Sequence, residues 1–337
     1  MLKKRLGFRI FHRLSYWLMV STSLLVMGFV SYQPAFADGT ATATQTAKTN
    51  LPSVADILKQ TNQNNPLIFS HRGSPSTSPE HSFDGYDEAI KDGTKFIEQD
   101  VWLSKDGQLY VSHDDNLERT TGDSINISDS TSSQLDQVKL LNGEKLHTLD
   151  EVFQHYGRNI HYIIETKKDT NDWSTNTEQA LSDKLRQYHM EDNVIIQDVD
   201  LFGLKKIHSL DGDANIPLLW LVPGTDDTSY ESQINLAPNY ITFLSFNVAK
   251  VSPAVINLAH SHGFLTDVYT LDGYTDNYDA FNKLHVDSAF TNNTAFTKKY
   301  LSNNLSSGSQ DSANQTSTDS TTTASSSVSS AASSTTK

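Results

Sequence analysis

The chain has 337 residues, with 26 Lys and Arg against 40 Asp and Glu, a formal net charge of −14 and no cysteine. Bulk charge of that sign excludes general electrostatic attraction to nucleic acid or to an anionic membrane, so an anionic ligand has to be captured by a local cation or a bound metal. Without disulfides, stability has to come from the core of one good-sized domain.

The first signal in chain order is at the amino terminus. Lys3, Lys4, Arg5, Arg9 and Arg13 precede an apolar run from Trp17 to Val30, and Ala35-Phe36-Ala37 follows as a small-x-small pattern. That order is the order of a secretory signal peptide, and the run falls short of the roughly 20 apolar residues of a membrane span. Residues 1–37 are expected to be removed after Ala37, giving a secreted chain with no stable membrane insertion. Losing those bases makes the remainder more acidic still. Residues 38–60 read as a linker, 61–301 as the folded domain and 302–337 as a Ser/Thr-rich tail. The tail is too poor in apolar residues to bury a core and is expected to be disordered. It suits a stalk at the cell surface or a solubilising extension.

Within the domain, apolar runs alternate with helix-compatible stretches. The runs are Leu67–Ser70, Lys95–Leu103, Ile160–Thr166, Val194–Gln197, Pro217–Val222, Tyr240–Phe246, Phe264–Tyr269 and Val286–Phe290. Between them, Ser82–Lys91, Leu149–Tyr156, Glu178–His189, Leu201–Leu210 and Ser252–His262 read as helices. The alternation predicts an α/β fold, a (β/α)8 TIM-type barrel. A further run, Leu109–Ser112, follows Asp106-Gly107. Asp-Gly is a strong hairpin signal, so this run is expected to fold back as an antiparallel arm along the second strand.

The chemistry gathers at strand ends, where such barrels carry their functional residues. His71-Arg72-Gly73 ends the first strand, and Glu98 and Asp100 share one face of the second by the period of two. Glu165 and Lys167 share a face at the end of the next barrel strand, and His113-Asp114 ends the arm. A two-residue Asp106-Gly107 turn would set His113 directly opposite Asp100. Three hard carboxylates in a chain without cysteine suit one divalent cation, Mg²⁺ or Ca²⁺, at Glu98, Asp100 and Glu165. Such an ion suits a phosphate ligand, with Arg72 and Lys167 gripping its oxygens. His71 and His113 would divide the work of general base and general acid. A lone Glu-x-Asp is more often a solvated strand face, but charges inside three apolar runs are costly unless paired or metal-bound.

The segments His71-Arg72-Gly73, Pro79-Glu80-His81-Ser82, Glu98-Gln99-Asp100, Ser104-Lys105-Asp106-Gly107, His113-Asp114, Leu117-Glu118-Arg119-Thr120-Thr121-Gly122, Thr148-Leu149-Asp150-Glu151 and Glu165-Thr166-Lys167 occur in one order. In these the chain resembles the glycerophosphodiester phosphodiesterase family, part of the phosphatidylinositol-phospholipase-C-like barrel superfamily. The resemblance runs from Leu67 to about Asn293 and is densest in its first half. It implies hydrolysis of glycerophosphodiesters to glycerol 3-phosphate and an alcohol. It also implies a metal at Glu98, Asp100 and Glu165, acid–base catalysis by His71 and His113, phosphate contacts from Arg72 and Lys167, and support of the substrate site by Glu80. The family's usual assignments favour His113 as the acid. The chain departs from the pattern at His81-Ser82, where Asn-Thr is common, and at Gln197-Asp198, where Ser-Phe is common. It departs again at Tyr269-Thr270-Leu271-Asp272, in place of Trp-Thr-Val-Asn, and at Thr291-Asn292-Asn293, in place of a closing Thr-Asp.

Two rivals stand beside this reading. One is a related barrel acting on teichoic-acid or sphingolipid-type diesters. The other is a non-catalytic surface-binding module, which would be expected to lack one of these residues. Two segments are candidate rims of the cleft: Gly122–Gln134 as a lid, and Asp272–Asp279 through Tyr274 or Tyr278. Both are also ordinary exposed loops by composition.

Overall fold

A computed structural model describes residues 51–168 and 174–304. The expected signal peptide, most of the linker and nearly all of the tail lie outside the described residues. The strands are β1 (Leu67–Ser70), β2 (Phe96–Leu103), β3 (Leu109–Val111), β4 (His161–Thr166), β5 (Val194–Asp198), β6 (Leu218–Leu221), β7 (Phe243–Asn247), β8 (Leu265–Leu271) and β9 (Ser288–Thr291). All but β3 run parallel, and β1 pairs with both β2 and β9, which closes the sheet into an eight-stranded barrel. The expected (β/α)8 architecture is the one observed.

The helices begin where the sequence provides caps. Ser82 accepts from the Gly85 N–H ahead of Phe83–Lys91, and Thr148 and Glu151 form a capping box ahead of Leu149–Tyr156. Ser252 and Pro253 open Pro253–Ser261 in the same way. In Leu149–Tyr156 the buried residues are Leu149, Val152, Phe153 and Tyr156, the stripe that a 3.6-residue period lays against a sheet.

Because helices cover the barrel outside, both faces of each strand are buried, which is why the runs read as continuously apolar. Phe69, Phe96, Ile163, Ile195, Leu219 and Phe243 fill the inside near the amino ends of the strands. Two residues further along, the inward position turns polar: Glu98 follows Phe96, Glu165 follows Ile163, Gln197 follows Ile195 and Ser245 follows Phe243. That change of chemistry along the axis places the site. A second polar group lies beside it, where Ser245 and Ser288 hydroxyls donate to the fully buried Asp267. Burial pushes the Asp267 carboxyl up to about 8.

The structure corrects three expectations. Within the stretch expected to be linker, Val54–Leu58 is a helix capped by Ser53, and its Val54 is fully buried against the barrel's inner cluster. The β2–β3 hairpin pairs Val101 with Val111, Trp102 with Tyr110 and Leu103 with Leu109, so Ser112 and not His113 stands opposite Asp100. The loop is one residue longer than a two-residue turn. Gly107 at φ 88° donates to the Ser104 carbonyl, and the Ser104 N–H donates to the Gln108 carbonyl, as in a turn that ends in a left-handed residue. Finally, Gly122–Gln134 is anchored and is no lid. Ile127 is fully buried with Tyr110, Leu117, Leu135 and Val138 in a satellite cluster on the hairpin, and Ser128 is tied to Asp115. Among the described residues, no helix is long and apolar enough to cross a membrane.

Candidate active site

The carboxyl ends of the strands surround a cavity of about 390 Å³ whose lining includes His71, Arg72, His113, Glu165, Lys167 and Gln197. Strand register brings the acids together. Asp100 on β2 stands beside Glu165 on β4, and Glu165 stands beside Gln197 on β5. Glu98, Asp100 and Glu165 each offer an oxygen within 4.8 Å of the others, and all three are buried.

Their electrostatics differ. Burial, then repulsion from Asp100, pushes the Glu98 carboxyl well up, and burial carries Glu165 to about 8. Burial opposes ionisation of Asp100 as well, but Lys167, His81 and Arg72 outweigh it and hold that carboxyl well below the usual range. Three acids this close, two of them pushed towards the neutral form, are a site short of positive charge. The donor set, all hard oxygen, fits a divalent cation of the Mg²⁺ or Ca²⁺ type.

The surroundings fix each carboxylate. Lys167 Nζ lies 2.5 Å from Glu165 Oε1 and 3.2 Å from Asp100 Oδ1. Gln197 Nε2 donates to Glu98 Oε1 at 3.1 Å and to Glu165 Oε2 at 3.3 Å. The Arg72 backbone N–H donates to Glu98 Oε2 at 2.8 Å, and its guanidinium lies 3.4 Å from Asp100. This requires Arg72 to take a left-handed backbone, φ 55°, ahead of Gly73 at φ 90°. A Cβ on Gly73 would come 2.9 Å from the Gly85 carbonyl carbon, so the third residue of His-Arg-Gly has to be glycine.

The two histidines are differently partnered. His71 Nδ1 lies 2.7 Å from Asn292 Oδ1, and burial, with the Arg72 charge next, lowers its pKa to about 4. His113 Nδ1 lies 2.7 Å from Asp114 Oδ1, and Asp114 is gripped in turn by Arg119 Nε at 2.6 Å. Burial lowers the His113 pKa too, while Asp100 and Asp114 pull it upward. Thus the structure gathers His71, Arg72, Glu98, Asp100, His113, Glu165 and Lys167 at one end of the barrel. Glu80 sits behind them: it takes Arg119 through both oxygens, at 2.8 and 2.6 Å, and Arg72 at 3.2 Å. Burial opposes its ionisation, but Arg119, His81 and Arg72 lower its pKa to about 2. Its place is support of Arg72, outside the cavity lining. Tyr274 and Tyr278 are 63% and 48% exposed, stack on each other, and do not line the cavity either.

Four residues beyond the expected set touch it. His81 Nε2 lies 2.9 Å from Asp100 Oδ2, Gln197 bridges Glu98 and Glu165, Asn292 meets His71, and Asp114 meets His113. Each of the first three falls where the chain departs from the family pattern, which was the available signal. Asp114 was visible only as the neighbour of a candidate histidine.

The profile of the glycerophosphoryl diester phosphodiesterase family matches residues 71–295. A glycerophosphodiester phosphodiesterase of Bacillus subtilis (strain 168) is 28% identical over 232 residues, 62% of this chain and 78% of that one. Among solved structures, one described as a putative glycerophosphoryl diester phosphodiesterase from Agrobacterium tumefaciens superposes with a TM-score of 0.64 at 17% identity, over 71% of this chain and 98% of that one. A phosphodiesterase of Oleispira antarctica, solved with the product sn-glycerol-3-phosphate, does so with a TM-score of 0.61 at 22% identity, over 71% and 97%. With the family profile covering the barrel from His71 onward, the chain belongs to the glycerophosphoryl diester phosphodiesterase family.

Proposed function

We propose that this chain is a secreted, divalent-metal-dependent phosphodiesterase that hydrolyses glycerophosphodiesters to glycerol 3-phosphate and an alcohol. The observation that carries the reading is one cavity lined by His71, His113, Arg72, Lys167 and Glu165, with Glu98 and Asp100 buried within 4.8 Å of Glu165. The named activity of the Bacillus subtilis relative and the product bound to the Oleispira antarctica structure support the same substrate class.

Glu98, Asp100 and Glu165 would hold the cation, which when bound supplies positive charge against a phosphate oxygen and the charge that develops on it. Arg72 and Lys167 grip the remaining oxygens and keep the phosphorus between the histidines. His71, neutral and partly buried, takes a proton from the attacking oxygen as it bonds to phosphorus. That oxygen is water, or the substrate's own hydroxyl, in which case water then opens the cyclic phosphate to glycerol 3-phosphate. His113, backed by the Asp114 carboxylate, carries the proton that the departing alkoxide receives when the other P–O bond breaks. The apolar side of the cavity, at Leu221, Val222 and Tyr269, leaves room for the substrate's organic part.

The test is an assay of glycerol 3-phosphate release from glycerophosphocholine, glycerophosphoethanolamine, glycerophosphoglycerol and teichoic-acid fragments, before and after chelation. Release that depends on Mg²⁺ or Ca²⁺ supports the reading. Turnover of teichoic-acid fragments alone would move the substrate to the cell envelope, and full activity after exhaustive chelation would overturn the metal. Export is supported by the order of charge and apolarity in residues 1–37. Mass spectrometry of the culture medium should find an amino terminus near Asp38; full-length chain confined to the cytoplasm would refute it.

A further inference from the structure

We propose that Asp272 and Asn292 are positioning residues that lock His71 in one tautomer, with the proton on Nδ1 and the lone pair on Nε2. The inference rests on the reading of His71 as the base and deepens it. Its foundation is strand register. Leu271 on β8 stands beside Thr291 on β9, and Thr291 stands beside Ser70 on β1. The next residue on each strand is Asp272, Asn292 and His71, so three adjacent strand ends present them in a row. Backbone bonds hold the row: Asn292 N–H donates to the Leu271 carbonyl and His71 N–H to the Thr291 carbonyl, both at 3.1 Å.

Side-chain chemistry then fixes the direction. Asn292 Nδ2 donates to Asp272 Oδ1 at 2.6 Å, and an ionised carboxylate can only accept. The amide therefore cannot turn over without setting oxygen against oxygen. Its Oδ1 is committed to His71 Nδ1, at 2.7 Å, and an amide oxygen also only accepts. Nδ1 must carry the hydrogen, which leaves Nε2 as the basic atom of the neutral ring. An amide gives this orientation without putting an anion against the ring; the carboxylate stands one residue further out. Arg72, Asp100 and His81 act on His71 electrostatically, His113, Glu165 and Lys167 share its cavity, and Asp272 stands behind Asn292. Burial and Arg72 favour the neutral ring, in the same direction as the amide.

The test uses the full chain with ¹⁵N-labelled histidine, and the His71 signals are assigned by difference from His71→Gln. At neutral pH the wild-type spectrum is expected to show Nδ1–H and a bare Nε2. Asn292→Leu should mix the tautomers and lower kcat about 10²-fold with little change in KM, within the range a positioned base contributes. Asn292→Asp combined with Asp272→Asn, which keeps a donor against the new carboxylate, should keep the tautomer and move the acidic limb of the kcat/KM profile upward by about one pH unit, since a carboxylate favours the charged ring. Asp272→Ala, at an exposed position, gives the same reading if Asn292→Leu fails to fold. A wild-type ring protonated on Nε2, or an unchanged tautomer in both Asn292→Leu and Asp272→Ala, overturns the proposal. Should His71→Gln keep its rate while the tautomer pattern holds, the base reading fails and the positioning stands.

Discussion

His81 Nε2 lies 2.9 Å from Asp100 Oδ2, while the Tyr86 hydroxyl lies 2.9 Å from the other ring nitrogen. Both histidine and tyrosine are buried, so the ring is held from two sides and Asp100 cannot swing away. Outer partners of this kind orient a ligand, and removing one typically weakens metal binding about 10–100-fold. His81→Ala should show that loss in calorimetric titration with Mg²⁺ or Ca²⁺, whereas His81→Asn, which keeps a donor, should lose less. Equal affinity in wild type and His81→Ala would remove His81 from the site's support.

A cation that fills the three-acid cluster binds only the folded chain. At a concentration 100 times its Kd, linkage gives about 2.7 kcal/mol of added stability. The Tm of chelator-treated protein should therefore rise on addition of Mg²⁺ or Ca²⁺. Glu165→Gln should abolish most of the rise while folding on its own. Scanning calorimetry with and without the ion reads both.

With the proposed roles, the histidine pair should divide by leaving group. His71→Ala and His113→Ala should each lower kcat on natural diesters by roughly 10²–10⁴-fold. A p-nitrophenyl ester needs no proton on departure, so it should rescue His113→Ala and leave His71→Ala slow. Steady-state rates on the two substrate types decide; rescue of the other variant would exchange the roles.

Asp267 sets a pH dependence that has nothing to do with turnover. Its carboxyl is raised to about 8 in the folded chain, against an unfolded value of about 3.9. Below that lower value both states hold the proton and no stability is lost. Between it and about 8 the unfolded chain releases a proton that the folded chain keeps, so stability falls as pH rises. Asp267→Asn keeps the shape and can still bond both serines. Its Tm advantage over wild type should be small near pH 4 and widen towards pH 8. A constant difference across that range would show that Asp267 is ionised in the fold.

Most of the barrel was legible because each strand is buried on both faces and each helix on one, so period and apolarity agree over whole segments. Residues such as Glu98 and Glu165 stood out because a charge inside an apolar run demands a reason. The β2–β3 register was not legible. A two-residue and a three-residue turn share the same Asp106-Gly107 pair, and only the bonds of Ser104 with Gln108 and Gly107 distinguish them. Val54–Leu58 escaped because five residues are too few to show a helical period. The partners His81, Gln197 and Asn292 lie far in sequence from the groups they hold, and no local pattern joins Gln197 to Glu98 or Asn292 to His71.

Lys167 carries a consequence for the order of events. Its ammonium spans Glu165 and Asp100, so before any ion arrives the cluster already holds a tethered counter-charge. Loading would then be an exchange, in which a cation held by Glu98, Asp100 and Glu165 supplies the counter-charge that Lys167 gives them here. With an ion held by the three acids, the ammonium, which already lines the cavity, would be available to a phosphate oxygen. Substrate arriving first would find its lysine occupied, so ion before diester would be the productive sequence, and ion supply would set how much of the chain is receptive.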